Sequence, residues 1–268
     1  MTRRRTLCRA ALAVAAVAAA AAVSHAQQTP STRPAVAPSI DARADRVLRE
    51  MSEYLRKLES FTFHVNTTYD VVQASGEKIQ LAMSEDVSIK RPGSVHVNMI
   101  GDEGNGRVHC DGRTFVLYDA VANTYARTDV PNDLGLALDH VWEEFAMEVP
   151  VADIAYSDPY AVLTENVETG RHIGKHLVGD VVCDHLAFTQ ETIDWQIWIE
   201  DGHQRVPRKL VITYKQRPGE PQYAAVLSKW KLNPRLSAHI FRFDPPEGAH
   251  EIEFLQVYDV FPSDGDEQ

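Results

Sequence analysis

The sequence predicts an α+β protein: one large curved antiparallel sheet of roughly ten strands with helices covering its concave face. Three observations carry this. Apolar residues alternate with polar ones through most of the chain, which is the period of a strand. Two stretches switch to helical spacing, one before the strands and one amid them. No linker-like segment or internal repeat divides residues 40–262, so they form one domain large enough for a single core.

The first residues, MTRRRTLCRAALAVAAVAAAAAVSHAQQ, place Arg3, Arg4 and Arg5 ahead of a long Ala/Val/Leu run that ends at Ser24-His25-Ala26. This is the pattern of a secretory signal peptide over 1–26, with small residues at Ser24 and Ala26 suited to cleavage after Ala26. An uncleaved anchor is the other reading of so long an apolar run. Cys8 precedes that run, where a lipoprotein signal would place its Cys after it. The segment 27–39, QQTPSTRPAVAPS, lacks apolar period and reads as a flexible Pro/Ser/Thr-rich tether; residues 263–268 are an acidic tail. An exported protein of this kind is expected in the periplasm.

The full chain carries 27 basic and 38 acidic residues, a net charge of −11. Cleavage would remove Arg3, Arg4, Arg5 and Arg9 with no acid, leaving 23 basic residues and a net −15. Nucleic acid is excluded as an electrostatic partner, and contact with anionic membranes is expected to be peripheral or transient at most.

From Ser39, SIDARADRVLREMSEYLRKLES repeats Ala44, Val47, Leu48, Met51, Tyr54, Leu55 and Leu58 at helical spacing, with Ser39 or Asp41 as its cap. FTFHVNTTYDVV then alternates Phe61, Phe63 and Val65 against Thr62, His64 and Asn66. IQLAMSEDVSIK follows, with Leu81 and Met83, and then SVHVNMI, with Val97. A GDEGNG turn leads to RVHCD and TFVLYDA, and together these are meander strands. Around PNDLGLALDHVWEEFAMEV the period becomes helical: Pro131 to Glu148 is expected to lie over the concave face, with Leu138, Trp142 and Phe145 against the sheet. VADIAYSDPYAVLTE adds a short helical piece interrupted at Pro159. Strands return through GRHIGKHLV, DVVCDHLAFTQ, the hairpin from Glu191 to Lys215, QYAAVLSKWKL and IFRFDPPEGAHEIEF.

The hairpin is apolar on both sides. Trp195, Ile197, Ile199, Leu210, Ile212 and Tyr214 alternate toward one face, taken as concave, while Trp198 and Val211 point the other way and need a cover of their own. Ordinary core packing accounts for any one of these residues. Taken together they suggest a sheet too curved for its helices to fill, leaving an apolar cavity. If so, Ile197→Trp would keep stability and obstruct a ligand.

Catalytic signatures are missing: there is no Gly-x-Ser-x-Gly elbow, zinc-protease helix motif or phosphate-binding Lys loop. No enzyme activity, cofactor or metal is expected. His172 and His176 lie in a strand-like, Gly-punctuated stretch, where their rings would be roughly 13 Å apart. The acids Asp194, Glu200 and Asp201 near the hairpin lack a positioned nucleophile or base. Cys110 and Cys183 would remain after export. They are either a disulfide closing a loop of about 70 residues or two buried free thiols.

Several phrases, CDGRTFVLYDAVANTYA, YSDPYAVL, CDHLAFTQETIDWQIWIEDG and PRKLVITYKQRPGEPQY, resemble the domain of unknown function 2092 family of predicted periplasmic proteins. The closing IFRFDPPEGAHEIEF is similar to the end of the wider superfamily of outer-membrane lipoprotein carriers, the LolA-like proteins. The likeness runs from about Asp41 to Phe254. It implies an unclosed half-barrel whose concave apolar face is lidded by helices and, in carrier relatives, shields lipid acyl chains. The function expected is binding or carriage of an apolar ligand such as a lipid or lipoprotein acyl chain. An envelope sensor or protein-interaction module is the alternative.

Overall fold

A computed structural model describes residues 39–145 and 150–254. The stretches expected as signal peptide (1–26) and acidic tail (263–268), and most of the expected tether (27–39), lie outside the described residues. One 13-stranded sheet organises the rest. In chain order its strands are β1 (Ser39–Ile40), β2 (Ser60–Val72), β3 (Lys78–Lys90), β4 (Ser94–Gly101), β5 (Gly104–Asp111), β6 (Thr114–Asp119) and β7 (Thr124–Asp129). They continue as β8 (Thr169–Val178), β9 (Val181–Thr189), β10 (Ile193–Glu200), β11 (Pro207–Tyr214), β12 (Gln222–Leu232) and β13 (His250–Glu251). The spatial order is β1-β8-β9-β10-β11-β12-β2-β3-β4-β5-β6-β7-β13, so the sheet does not close on itself.

Thirteen strands exceed the ten expected, for local reasons. β1 and β13 pair over only two residues each, in parallel with β8 and β7, and two residues carry no period. β7, TYARTD, has too few apolar residues to alternate. IFRFDPPEGAHEIEF, expected as a strand, contributes a 3-10 turn at Ala238–Phe241 and then runs as a strap to β13.

Helix α1 (Ala42–Arg56) starts at Asp41, whose carboxylate accepts the backbone N–H groups of Arg43 and Ala44 at 2.9 and 2.7 Å. Those donors have no intrahelical partner, so the cap replaces water they would lose. The face bearing Ala44, Val47, Leu48, Met51 and Leu55 is buried, as its spacing requires. Helix α2 (Leu134–Phe145) turns a different face inward from the one expected. Leu134, Ala137 and Val141 are buried, whereas Leu138, Trp142 and Phe145 are half-buried. Leu138 and Phe145 pack on the margin of the core. The cause is the docking of the helix start: Leu134 donates its backbone N–H to Pro92, and Gly135 lies against the Tyr156 ring, too close for a larger residue. Pro159 opens helix α3 (Pro159–Thr164) rather than breaking one. Its missing N–H costs nothing at a first helical position, and Asp158 caps the Ala161 N–H.

The strap crosses the convex face. Phe243 packs against His109, Tyr118 and Tyr125, and the chain then passes β7, where Arg127 pairs with Glu251, to stack Phe254 on Phe145 of α2 at 4.4 Å. Beneath the strap His109 is 9% exposed; one ring nitrogen, Nδ1, bonds the Ile240 carbonyl while Nε2 has no partner among the described residues. Burial, with help from His96 and Arg107, pushes His109 down to about 4. Its neutral form is thus the folded form, and the unfolded chain takes up the proton first as pH falls. Stability should therefore decline from about pH 6.5 toward 4, by on the order of 2 kcal/mol. His109→Phe should flatten that decline in denaturant titrations run at a series of pH values.

Candidate functional site

The concave face follows from strand parity. Phe61, Phe63, Val65, Thr67 and Tyr69 of β2 share it, as do Ile89, Val87, Glu85, Met83 and Leu81 of β3, and Val95, Val97 and Met99 of β4. Helical cover reaches only part of it. β2 and β3 each have 13 residues, about 43 Å at a strand's rise, while the 15 residues of α1 span about 22 Å. α1 packs on β8 and β10, and α2 is anchored at the β3–β4 turn. The far ends of β2 to β5 therefore extend beyond the helices.

Burial divides the predicted cavity residues accordingly. Phe63, Trp195, Ile197, Ile199, Leu210, Ile212 and Tyr214 belong to the closed core, none more than 9% exposed. Phe63 stacks on Trp230 at 4.6 Å and Trp195 on Phe188 at 4.1 Å. The hairpin residues are thus packed against neighbours and do not line an open space. Leu81, Met83, Val97, Leu138 and Phe145 are half-buried, and so are Met99, Val108 and Leu117 beside them. Val97, Val108, Leu117, Leu138 and Phe145 pack against the margin of the core, whereas Leu81, Met83 and Met99 stay outside it as a half-buried apolar surface.

Polar groups sit within that surface. Glu85, 8% exposed, lies between Val65 and Met99 in the sheet register. The Thr67 hydroxyl donates to its carboxylate at 3.0 Å, and the Tyr223 hydroxyl stands 3.4 Å from Thr67. Burial raises the Glu85 carboxyl above its ordinary range, and the Thr67 hydrogen bond only partly offsets this. Tyr69 donates to Glu103 of the β4–β5 turn; burial and that bond push Tyr69 up to about 12. Glu85, Thr67, Tyr223 and Met99 were missed in the sequence. The signal for Glu85 was present, since in IQLAMSEDVSIK it occupies the position where Leu81, Met83, Val87 and Ile89 set an apolar face.

On the convex side Trp198 is covered by its own sheet. His185 of β9 stacks on it at 3.9 Å, and Lys209 of β11 places Nζ 4.8 Å from its ring. All three are register partners across β9, β10 and β11. They border a recess of about 460 Å³ that also includes His176, Leu177 and Val226. A second recess, about 660 Å³, lies where the strap meets α2, lined by Phe145, Phe254, Arg127 and Glu251.

The cysteines are free thiols. Cys110 on β5 and Cys183 on β9 are both buried, with six strands between them in the sheet order, so the second of the two alternatives holds. Asp194, Glu200 and Asp201 are held in ion pairs with Lys215, Arg208 and Lys175, which leaves them as surface structure. His172 and His176 turn to different partners, Asp184 and His185. Among the described residues no group of three or more His, Cys, Asp or Glu gathers as a metal site, and no helix is long and apolar enough to cross a membrane.

The chain is thus an unclosed antiparallel half-barrel, helix-covered on one part of its concave face. The chain belongs to the DUF2092 family of predicted periplasmic proteins, whose model matches residues 44–255. No curated protein matches it. Solved structures with a similar fold include the lipoprotein LppX of Mycobacterium tuberculosis, 15% identical, covering 74% of this chain and 99% of that one with a TM-score of 0.45. LprF of Mycobacterium bovis is 12% identical over 75% and 97% of the two chains, TM-score 0.43. The LolA superfamily protein NE2245 of Nitrosomonas europaea is 12% identical over 75% and 97%, TM-score 0.40.

Proposed function

We propose that this protein is an exported binder or carrier of an apolar ligand with an acyl-like chain, and that it performs no chemistry on it. The observation that supports the reading is the half-buried surface of Leu81, Met83 and Met99, which the packed core of the same chain leaves uncovered. Contiguous apolar surface of this kind costs free energy in water and gains it by covering an alkyl chain. Export is part of the proposal, with cleavage after Ala26, so the amino terminus of the purified periplasmic protein should be Gln27.

An environment-sensitive fatty-acyl probe should bind saturably and with little dependence on salt, because apolar contact and not the net charge is the attraction. Met83→Asp should weaken that binding by about tenfold or more, since a charge in an apolar contact is strongly disfavoured, while costing little stability at a half-exposed position. Unchanged binding by Met83→Asp would place the ligand elsewhere. A folded protein that takes up no probe would favour the second reading, an envelope interaction module. The observation behind that reading is the convex recess, where Leu177 is 65% exposed.

A further inference from the structure

We propose that Glu85 makes the concave surface selective for amphiphiles that carry an ammonium group. The inference rests on the apolar-ligand reading and adds the chemistry of the ligand's polar end. Glu85 is the one acid at an inward position of β3, flanked by Val65, Met83 and Met99. A carboxylate in such a wall loses hydration that an apolar neighbour cannot replace, and it retains its charge only with a counter-charge or several donors nearby. Its hydrogen bond comes from the Thr67 hydroxyl, a neutral donor.

The bases of the same strand ends are turned away. Lys78 pairs with Asp70 on the convex side, and Arg107 lies over Tyr118 beneath the strap side of the sheet. No Lys, Arg or His ion pair reaches Glu85 among the described residues; His64, whose charge bears on it, lies on the opposite face of β2, so no direct counter-charge stands beside the carboxylate there. An alkyl chain laid along Leu81, Met83 and Met99 would bring a terminal ammonium to Glu85 and supply it. Thr67 would hold the second oxygen in place, and the Tyr223 hydroxyl would orient Thr67. A fatty-acid carboxylate in the same position would face a like charge, with Glu103 of the β4–β5 turn adding to the repulsion. A long-chain alcohol should fall between the two.

The test is displacement of the acyl probe by a long-chain amine, alcohol and carboxylic acid of matched length, on the full exported chain. The amine is expected to bind at least about tenfold more tightly than the acid, and the preference should survive added salt because the contact is desolvated. Glu85→Gln should bring amine and acid within about twofold of each other. Glu85→Met, which suits the apolar wall even if the amide does not fold, should abolish the preference in the same way. Equal binding of amine and acid by the wild-type protein would overturn the inference and leave the apolar site standing. So would a preference that persists in both variants, which would assign it to the overall net charge. If the folded protein binds none of the three, the apolar-site reading falls together with this one.

Discussion

Ile197→Ala should destabilise the protein by about 2–5 kcal/mol, and Ile197→Trp should be worse tolerated than any surface change, costing about 1–3 kcal/mol or more. Ile197 is 1% exposed and sits among Trp195, Ile199, Leu210 and Ile212 in the closed core. Truncation removes buried methyl groups and leaves a void that close-packed neighbours refill only in part. Enlargement has no space to enter. Both variants should retain the folded-state affinity for an acyl probe, because Leu81 and Met83 lie on β3, with β11, β12 and β2 between them and Ile197 on β10. This reverses the sequence expectation for Ile197→Trp. Alternation showed which face the hairpin turns inward, but whether that face meets a helix or an open space depends on where α1 comes to rest, which no period records. Urea titration monitored by circular dichroism measures the loss.

Asp184→Asn should cost about 2–3 kcal/mol at neutral pH. Asp184 is 3% exposed and joins β9 to its surroundings: it accepts from His172 at 2.8 Å, from Arg205 at 3.1 Å and from Arg43 of α1 at 3.4 Å. Arg205 also reaches Glu50 of α1, so the cluster fastens the helix to the sheet. An amide keeps the shape but removes the charge that the cations face. The loss stays at the lower end for buried pairs because Arg205 retains Glu50 and Asp201, and Arg43 is half-exposed. Burial alone would push Asp184 up; His172 and Arg205 outweigh it and hold the carboxyl below its ordinary value. Its contribution is therefore full above the unfolded value near 4 and is lost as pH falls through the lower folded one. The gap between wild type and Asp184→Asn should narrow in acid. A gap independent of pH would mean that the charge is not what stabilises the cluster.

Much of the fold was legible in the sequence because two periods carry it. The stripe from Ala44 to Leu55 and the alternation through β2, β3, β10 and β11 fix which side chains turn inward, and the family phrases pointed to the same shell. What could not be read depends on contacts distant in sequence. The face that α2 buries is set by Pro92 and Tyr156, not by its own Leu138, Trp142 and Phe145. The separation of Cys110 and Cys183 follows from a strand order that places β12 beside β2. The candidate site was half legible. Leu81, Met83 and Val97 were named with the rest of the apolar face, but which members of that face stay open depends on the reach of the helices. Glu85 could have been found as the charged exception in its strand.

The central claim is that the concave surface beyond the helices holds the ligand. A long-chain amine bearing a photoreactive diazirine in its alkyl chain, irradiated with the folded full-length protein and mapped by peptide mass spectrometry, tests it most directly. The account predicts adducts on residues 78–101, centred on Leu81, Met83, Val97 and Met99, and their loss when an excess of unlabelled amine competes. Adducts confined to the convex recess around Leu177, Trp198 and Val226, or labelling that the competitor does not reduce, would contradict it.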